Sequence, residues 1–206
     1  MRYLTIAALL LAAGCSGIAD SGDLRPPQTA AEWQEFSQHG VRTDRVWSKL
    51  VTANMDLCGS RCTAQLGIGP SAGIGAFAWS DQAGAQHIAL TFPALRMLSS
   101  DDELAYMLAH EWSHLILRHY THNAPRSNSK EMEADCVGSL LAARAGYRLG
   151  AGVEPLRRMT YNTVAAWMGQ IPDALPRAQY VQRVVAAAQG KPITRATIKQ
   201  VCGIGP

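Results

Sequence analysis

Two histidines four positions apart, with a glutamate following the first, constrain this chain more than any other feature: His110-Glu111-Trp112-Ser113-His114. An α-helix turns every ~3.6 residues, so positions 110 and 114 stand one above the other, about 40° apart around the axis. Two imidazoles placed in this way can share one Zn²⁺ at ~2.0–2.1 Å. Glu111 then lies beside the metal, where a carboxylate can take a proton from water. The segment has to be helical, and the chemistry it points to is that of a zinc hydrolase with one ion per chain.

The flanking sequence supplies that helix. Ser100-x-x-Glu103 reads as a capping box with Ser100 at the N-cap. The helix it starts should run to about Tyr120, with Leu104, Met107, Leu108, Leu115 and Ile116 on its apolar face. Residues 31 to 55 read as one or two amphipathic helices broken near Gly40. Segments within Leu66–Trp79 and Ile88–Phe92 read as short strands of a small sheet. Further helices are expected over about 130–145, 153–168 and 178–189, before a tail reaching Cys202. The expected class is therefore α+β: mostly helical, with a small sheet packed on the histidine helix.

A catalytic zinc takes three protein ligands and keeps one position open. A histidine six residues beyond His114 is ruled out, because Tyr120 stands there. On a continuous helix His119 would face away from His110, in a surface or interhelix hydrogen bond; His122 reads as a loop histidine. His39 and His87 match no motif. Glu131 is the better third ligand, at the start of the next helix in Glu131-Met132-Glu133-Ala134-Asp135. Asp135 lies one turn further on the same face, where it can accept the distal N–H of a zinc-bound histidine. Glu133 should point away from the metal. Ala134 and Gly138 are small enough to let the two helices approach closely. The competing reading is an acidic helix start stabilised by the helix dipole.

The chain opens with Arg2 and an apolar run, Leu4 to Ala13, too short to anchor as a membrane span. The run ends in Leu11-Ala12-Ala13-Gly14-Cys15-Ser16, which resembles a bacterial lipobox and implies cleavage before Cys15 and its lipidation. Ser16 after the cysteine favours the outer membrane. The expected organisation is a signal peptide over 1–14, a tether over 15–30 and one catalytic domain over 31–206. Four further cysteines, Cys58, Cys62, Cys136 and Cys202, permit two disulfides in an exported chain. Of three pairings, Cys58–Cys62 with Cys136–Cys202 is favoured: the first pair is close in sequence with Gly59 between, and the second would tie the tail to the domain. A formal net charge of +3, without a basic stripe, argues against nucleic-acid binding.

The strings HEWSH and EMEAD, with Gly138 three residues on, resemble the gluzincin endopeptidases of peptidase family M48. This family includes the CAAX prenyl proteases, HtpX, the Oma-type proteases and periplasmic BepA-like proteins. Residues 99–109 before the histidines and Arg118-His119 after them match too, and the likeness covers about residues 74 to 140. It implies a zincin-like domain, His110, His114 and Glu131 as zinc ligands, Glu111 as catalytic base and Asp135 in support. Two family features are changed: an Asn-Ala-Phe segment reads Gly75-Ala76-Phe77, and a His-Pro pair reads Leu175-Pro176. The missing histidine leaves the transition-state oxyanion without its usual partner, for which Arg177, Tyr180 and Arg183 are candidates. The expected activity is cleavage of unfolded or misassembled envelope proteins. The alternative is a zinc-stabilised periplasmic chaperone without proteolysis, and cleavage of peptidoglycan peptides ranks behind both.

Overall fold

The structure is a computed structural model and describes residues 27–70, 75–119, 127–161 and 174–204. The signal segment, Cys15, most of the tether and residues 121–126 of the loop expected over 121–129 lie outside the described residues, as does the second half of the helix expected over 153–168.

Helix α1 (Ala30–Cys58) is continuous. Thr29 caps it, accepting from the Glu32 amide while the Glu32 carboxylate takes the Thr29 amide. The expected break at Gly40 is absent. A glycine inside a helix costs about 1 kcal/mol, whereas each of the fully buried Val46 and Leu50 contributes about 1.5–3 kcal/mol. Packing therefore outweighs propensity. Gly59, at φ 56°, ends the helix and leads into a short 3₁₀ turn, Gly59–Thr63.

Strands β1 (Gln65–Gly69), β2 (Ala76–Ser80) and β3 (Gln86–Thr91) form one sheet of order β1-β3-β2. β1 runs parallel to β3, with Leu66 opposite Ile88; β2 runs antiparallel to it, with Ala78 opposite Ile88. β3 is thus central and β2 is an edge. The β2–β3 turn is built on Asp81, whose side chain accepts the Ala85 amide, and on Gly84 at φ 82°.

Helix α2 (Phe92–Met97) follows β3 directly, capped by Thr91 and carrying Pro93 in its first turn. Helix α3 (Asp101–Ile116) carries the histidines, and every residue from Glu103 to Ile116 is buried. It packs against α1, β2, β3 and above all α4 (Asn128–Arg144). A helix with no solvent face belongs at the centre of a domain, and Trp112 marks that centre. The Trp112 ring is fully buried and meets Trp47 of α1 edge-on at 5.0 Å between centroids.

Of the remaining helices, α6 (Ala174–Ala188) and α7 (Arg195–Cys202) pack against α4, and α5 (Val153–Tyr161) packs against α6. The tail expected before Cys202 is helical, because Thr194 caps it through the Thr197 amide and Ile198 is fully buried. Both disulfides form in the favoured pairing, Cys58–Cys62 and Cys136–Cys202. The class is as expected: α+β, mostly helical, with a small mixed sheet against the histidine helix.

Candidate metal centre

Helix α3 brings His110 and His114 together edge to face, with Nε2 atoms 3.2 Å apart. Helix α4 enters alongside, and Glu131 stands in its first turn, its amide held by the carbonyl of the N-cap residue Ser127. One Glu131 oxygen lies 3.4 Å from His110 Nε2 and the other 3.6 Å from His114 Nε2. Among the described residues these three form the group able to hold a metal ion.

Their chemistry fits zinc. Donors at ~2.05 Å on a tetrahedral ion stand roughly 3.3 Å from one another, and the three separations fall around that value. The outer nitrogens of both rings are engaged elsewhere. His110 Nδ1 is 2.9 Å from Asp135 Oδ1, in a bent contact, and His114 Nδ1 is 2.9 Å from His119 Nδ1. Both Nε2 lone pairs are therefore directed at one point beside a carboxylate. Such an arrangement needs a cation.

The protonation equilibria express the same need. Burial pushes the His110 pKa down, but Asp135 and Glu131 outweigh it and raise the value to about 9. His114 goes the opposite way, to about 2, through burial and the charge of His110. Glu131 is lowered to about 2, because His110 and Arg177 overcome the cost of burying it.

Asp135 is fully buried and anchors the centre. Arg177 grips it with two hydrogen bonds of 2.7 Å, and the Tyr106 hydroxyl donates to it at 2.6 Å. These partners and His110 hold its pKa below the usual carboxylate range despite burial. Arg177 also reaches Glu131, with Nη1 3.2 Å from the carboxylate. That corrects the sequence reading of Arg177 as an oxyanion partner: its donors face the two carboxylates, so it fixes the ligands in place. The exposed Arg183 lies over the Tyr180 ring at 5.5 Å. Tyr180 itself is half-buried, one turn after Arg177 on the same helix, and its pKa is raised by burial and by the charge of Asp135. Glu111 is buried beside His110 on α3.

His119 makes the interhelix hydrogen bond expected of it, to a Glu133 that stays outside the ligand set, but it does not lie on the face opposite the metal group. α3 stops at Ile116, well short of Tyr120, and the chain turns back. His119 lands against His114, and Glu133 pairs with His119 at 3.1 Å. A helix drawn straight through position 119 hides this. The visible signal is only the His-Tyr-Thr-His stretch that follows the apolar run.

Two contacts outside the ligand set shape the approach of the helices. Gly138 of α4 lies against the backbone of His110; a Cβ there would meet His110 N at 2.8 Å. Gly152 lies under the Tyr106 ring, which a Cβ would meet at 2.3 Å. The missing side chains let Tyr106 reach Asp135 and let α4 bring Glu131 to the histidines.

Residues 53–129 match the family model of peptidase family M48. The matched stretch includes both histidines and Glu111 and ends two residues before Glu131, so the third ligand and its supports rest on the geometry above. No curated protein and no solved structure matches the chain.

Proposed function

From the premise that this chain is a metallopeptidase of family M48, we propose that it is a zinc endopeptidase acting on unfolded or misassembled proteins of the cell envelope. The observation that carries the reading is the triangle of His110, His114 and Glu131, with separations of 3.2, 3.4 and 3.6 Å, closed beside a buried Glu111.

His110, His114 and Glu131 would hold a zinc ion, whose Lewis acidity would polarise a scissile carbonyl and acidify a water molecule. Glu111 takes the proton from that water as its oxygen attacks the carbonyl carbon, and delivers it to the leaving amine nitrogen. Tyr180 is the best placed of the oxyanion candidates. It shares a helix face with Arg177, and its phenol, already protonated at neutral pH and pushed further up by burial and Asp135, is able to donate. Strand β2 is one of the two sheet edges among the described residues, and Phe77 on it is 39 % exposed. An extended peptide can pair with such an edge through its backbone, which suits an unfolded substrate.

Glu111→Gln should retain zinc and lose at least about 100-fold in casein cleavage, because a proton carrier is removed without a ligand. Cleavage at the wild-type rate by this variant would sink the mechanism. Client binding without proteolysis, by wild type and variant alike, would point to the chaperone instead. Tyr180→Phe should lower kcat roughly 100-fold with little change in KM, as loss of one oxyanion donor does. An unchanged kcat would clear Tyr180 of that role.

The envelope assignment rests on the Cys15 segment and agrees with two disulfides, which persist in oxidising compartments. Cys15→Ala should release the protein from the membrane fraction and abolish its labelling with fatty acid. Retention of either would defeat the lipoprotein reading.

A further inference from the structure

The two histidines of the centre are supported unequally. His110 is backed directly by the buried Asp135. His114 is backed by a second imidazole, and that imidazole by a carboxylate near the surface. His114 Nδ1 and His119 Nδ1 are 2.9 Å apart, and His119 Nε2 is 3.1 Å from Glu133 Oε2. One set of tautomers satisfies the whole chain. Glu133 accepts the Nε2–H of His119; the free His119 Nδ1 accepts the Nδ1–H of His114; His114 Nε2 is left as a bare lone pair facing Glu131 and His110.

The backbone is shaped to make this contact. At the end of α3 the His119 amide donates to the His114 carbonyl at 2.9 Å, and the Arg118 amide to the Leu115 carbonyl at 3.2 Å. This is a Schellman closure, whose left-handed position normally holds glycine. Here it holds Arg118, at φ 59°, the one non-glycine residue with positive φ among those described. An L side chain in that conformation costs roughly 1 kcal/mol. Lys130 of α4 adds a clamp, its Nζ 3.4 Å from the His119 carbonyl. The turn, the clamp and the burial of His119 hold its ring under His114.

We propose that His119 and Glu133 form a positioning relay for His114: Glu133 sets the His119 tautomer, and His119 sets the ring orientation and free nitrogen of His114. This rests on the metal reading of His110, His114 and Glu131 and adds to it. The relay touches neither substrate nor metal. It ends at a Glu133 side chain that is 37 % exposed, whereas Asp135 on the other branch is 0 % exposed. The His114 branch is therefore the one that opens to solvent.

The test uses the full-length protein in detergent. Its readouts are zinc affinity by competition with a chromophoric chelator and the visible absorption of the cobalt-substituted form. His119→Ala should weaken zinc binding about 10- to 100-fold, as loss of a hydrogen-bonding partner to a metal-bound histidine does, and should shift the cobalt bands. Glu133→Gln should weaken it less and shift the bands the same way. Glu133 acts only through His119, so the double variant should bind zinc no more weakly than His119→Ala alone. Arg118→Gly keeps the turn and should leave zinc affinity unchanged, which separates the relay from the shape of the loop.

Zinc affinity within twofold of wild type in His119→Ala would overturn the relay. So would a Glu133→Gln effect as large without His119 as with it. If His119→Ala does not fold, Glu133→Gln at its exposed site decides alone: unshifted cobalt bands overturn the proposal. A wild type that binds no zinc would instead defeat the metal reading on which the relay rests.

Discussion

A carboxylate shut away from water persists only when its charge is matched, and Asp135 is matched by Arg177, by the Tyr106 hydroxyl and by His110. Asp135→Asn keeps the volume but leaves the buried Arg177 short of a counter-charge. Breaking a buried pair costs about 3–5 kcal/mol, and His110 loses its anchor. Thermal unfolding of the metal-free protein should register the first effect and chelator competition the second, a zinc affinity lower by roughly 10- to 100-fold. A further buried carboxylate adds to the loss of stability in acid. Burial alone would raise the pKa of Glu103, but Arg158 and the Ser99 amide outweigh it and lower the value below the usual 4.5. A depressed folded-state pKa means stability that is full above about pH 4.5 and is lost as pH falls through the folded value. Glu103→Gln should therefore flatten the loss of stability between neutral pH and pH 3, read from urea midpoints across that range. The sequence showed Glu103 as half of a capping box with Ser100. In the fold Ser100 accepts the Glu103 amide as expected, but the carboxylate turns to Ser99 and Arg158, a partner 55 residues away.

At the scale of elements, the centre depends on how closely α3 and α4 approach. Gly138 has no room for a methyl group, since the nearest atoms belong to the His110 backbone and cannot rotate aside. Gly138→Ala should cost about 1–3 kcal/mol, as overpacking does, and weaken zinc binding by moving Glu131 off the histidines. Calorimetry and metal titration on one sample would detect both; a stabilised protein with unchanged metal affinity would show that the helices can separate freely. The helices themselves were legible from apolar periodicity and caps, but their ends were less so. α1 runs through Gly40 because its buried face holds it to the core. α3 stops at Ile116 because the chain closes on itself at Arg118. Neither outcome is written in local propensity, which disfavours glycine inside a helix and arginine in a left-handed turn.

Across the whole molecule, the Cys136–Cys202 bridge joins α4, which carries Glu131 and Asp135, to α7 over a separation of 66 residues. Cys58–Cys62 closes a separation of only 4. In the chain-entropy account the long loop is worth about 4 kcal/mol and the short one about 2 kcal/mol. Replacing Cys136 and Cys202 by alanine should thus lower the melting temperature more than replacing Cys58 and Cys62. Equal losses would place the stabilisation in native packing instead of the unfolded chain. The long bridge begins at the residue after Asp135, so reduction should also loosen the centre, and zinc release by chelator should quicken under reductant.

What the sequence by itself determined is what depends on spacing along one chain: the histidine pair, Glu111 between them, the start of α3 at Ser100 and the longer helices, though not α2 or α7. Glu131 and Asp135 were also within reach, because helical period puts them on one face of the next helix. Arg177, Tyr106, Gly152 and the fold-back of His119 were decided only by the tertiary structure. Each serves the centre by meeting a group distant in sequence or past a helix end, where no period carries. A buried charge finds its partner through the packing of α6 against α4, and that contact exists only once the core has closed.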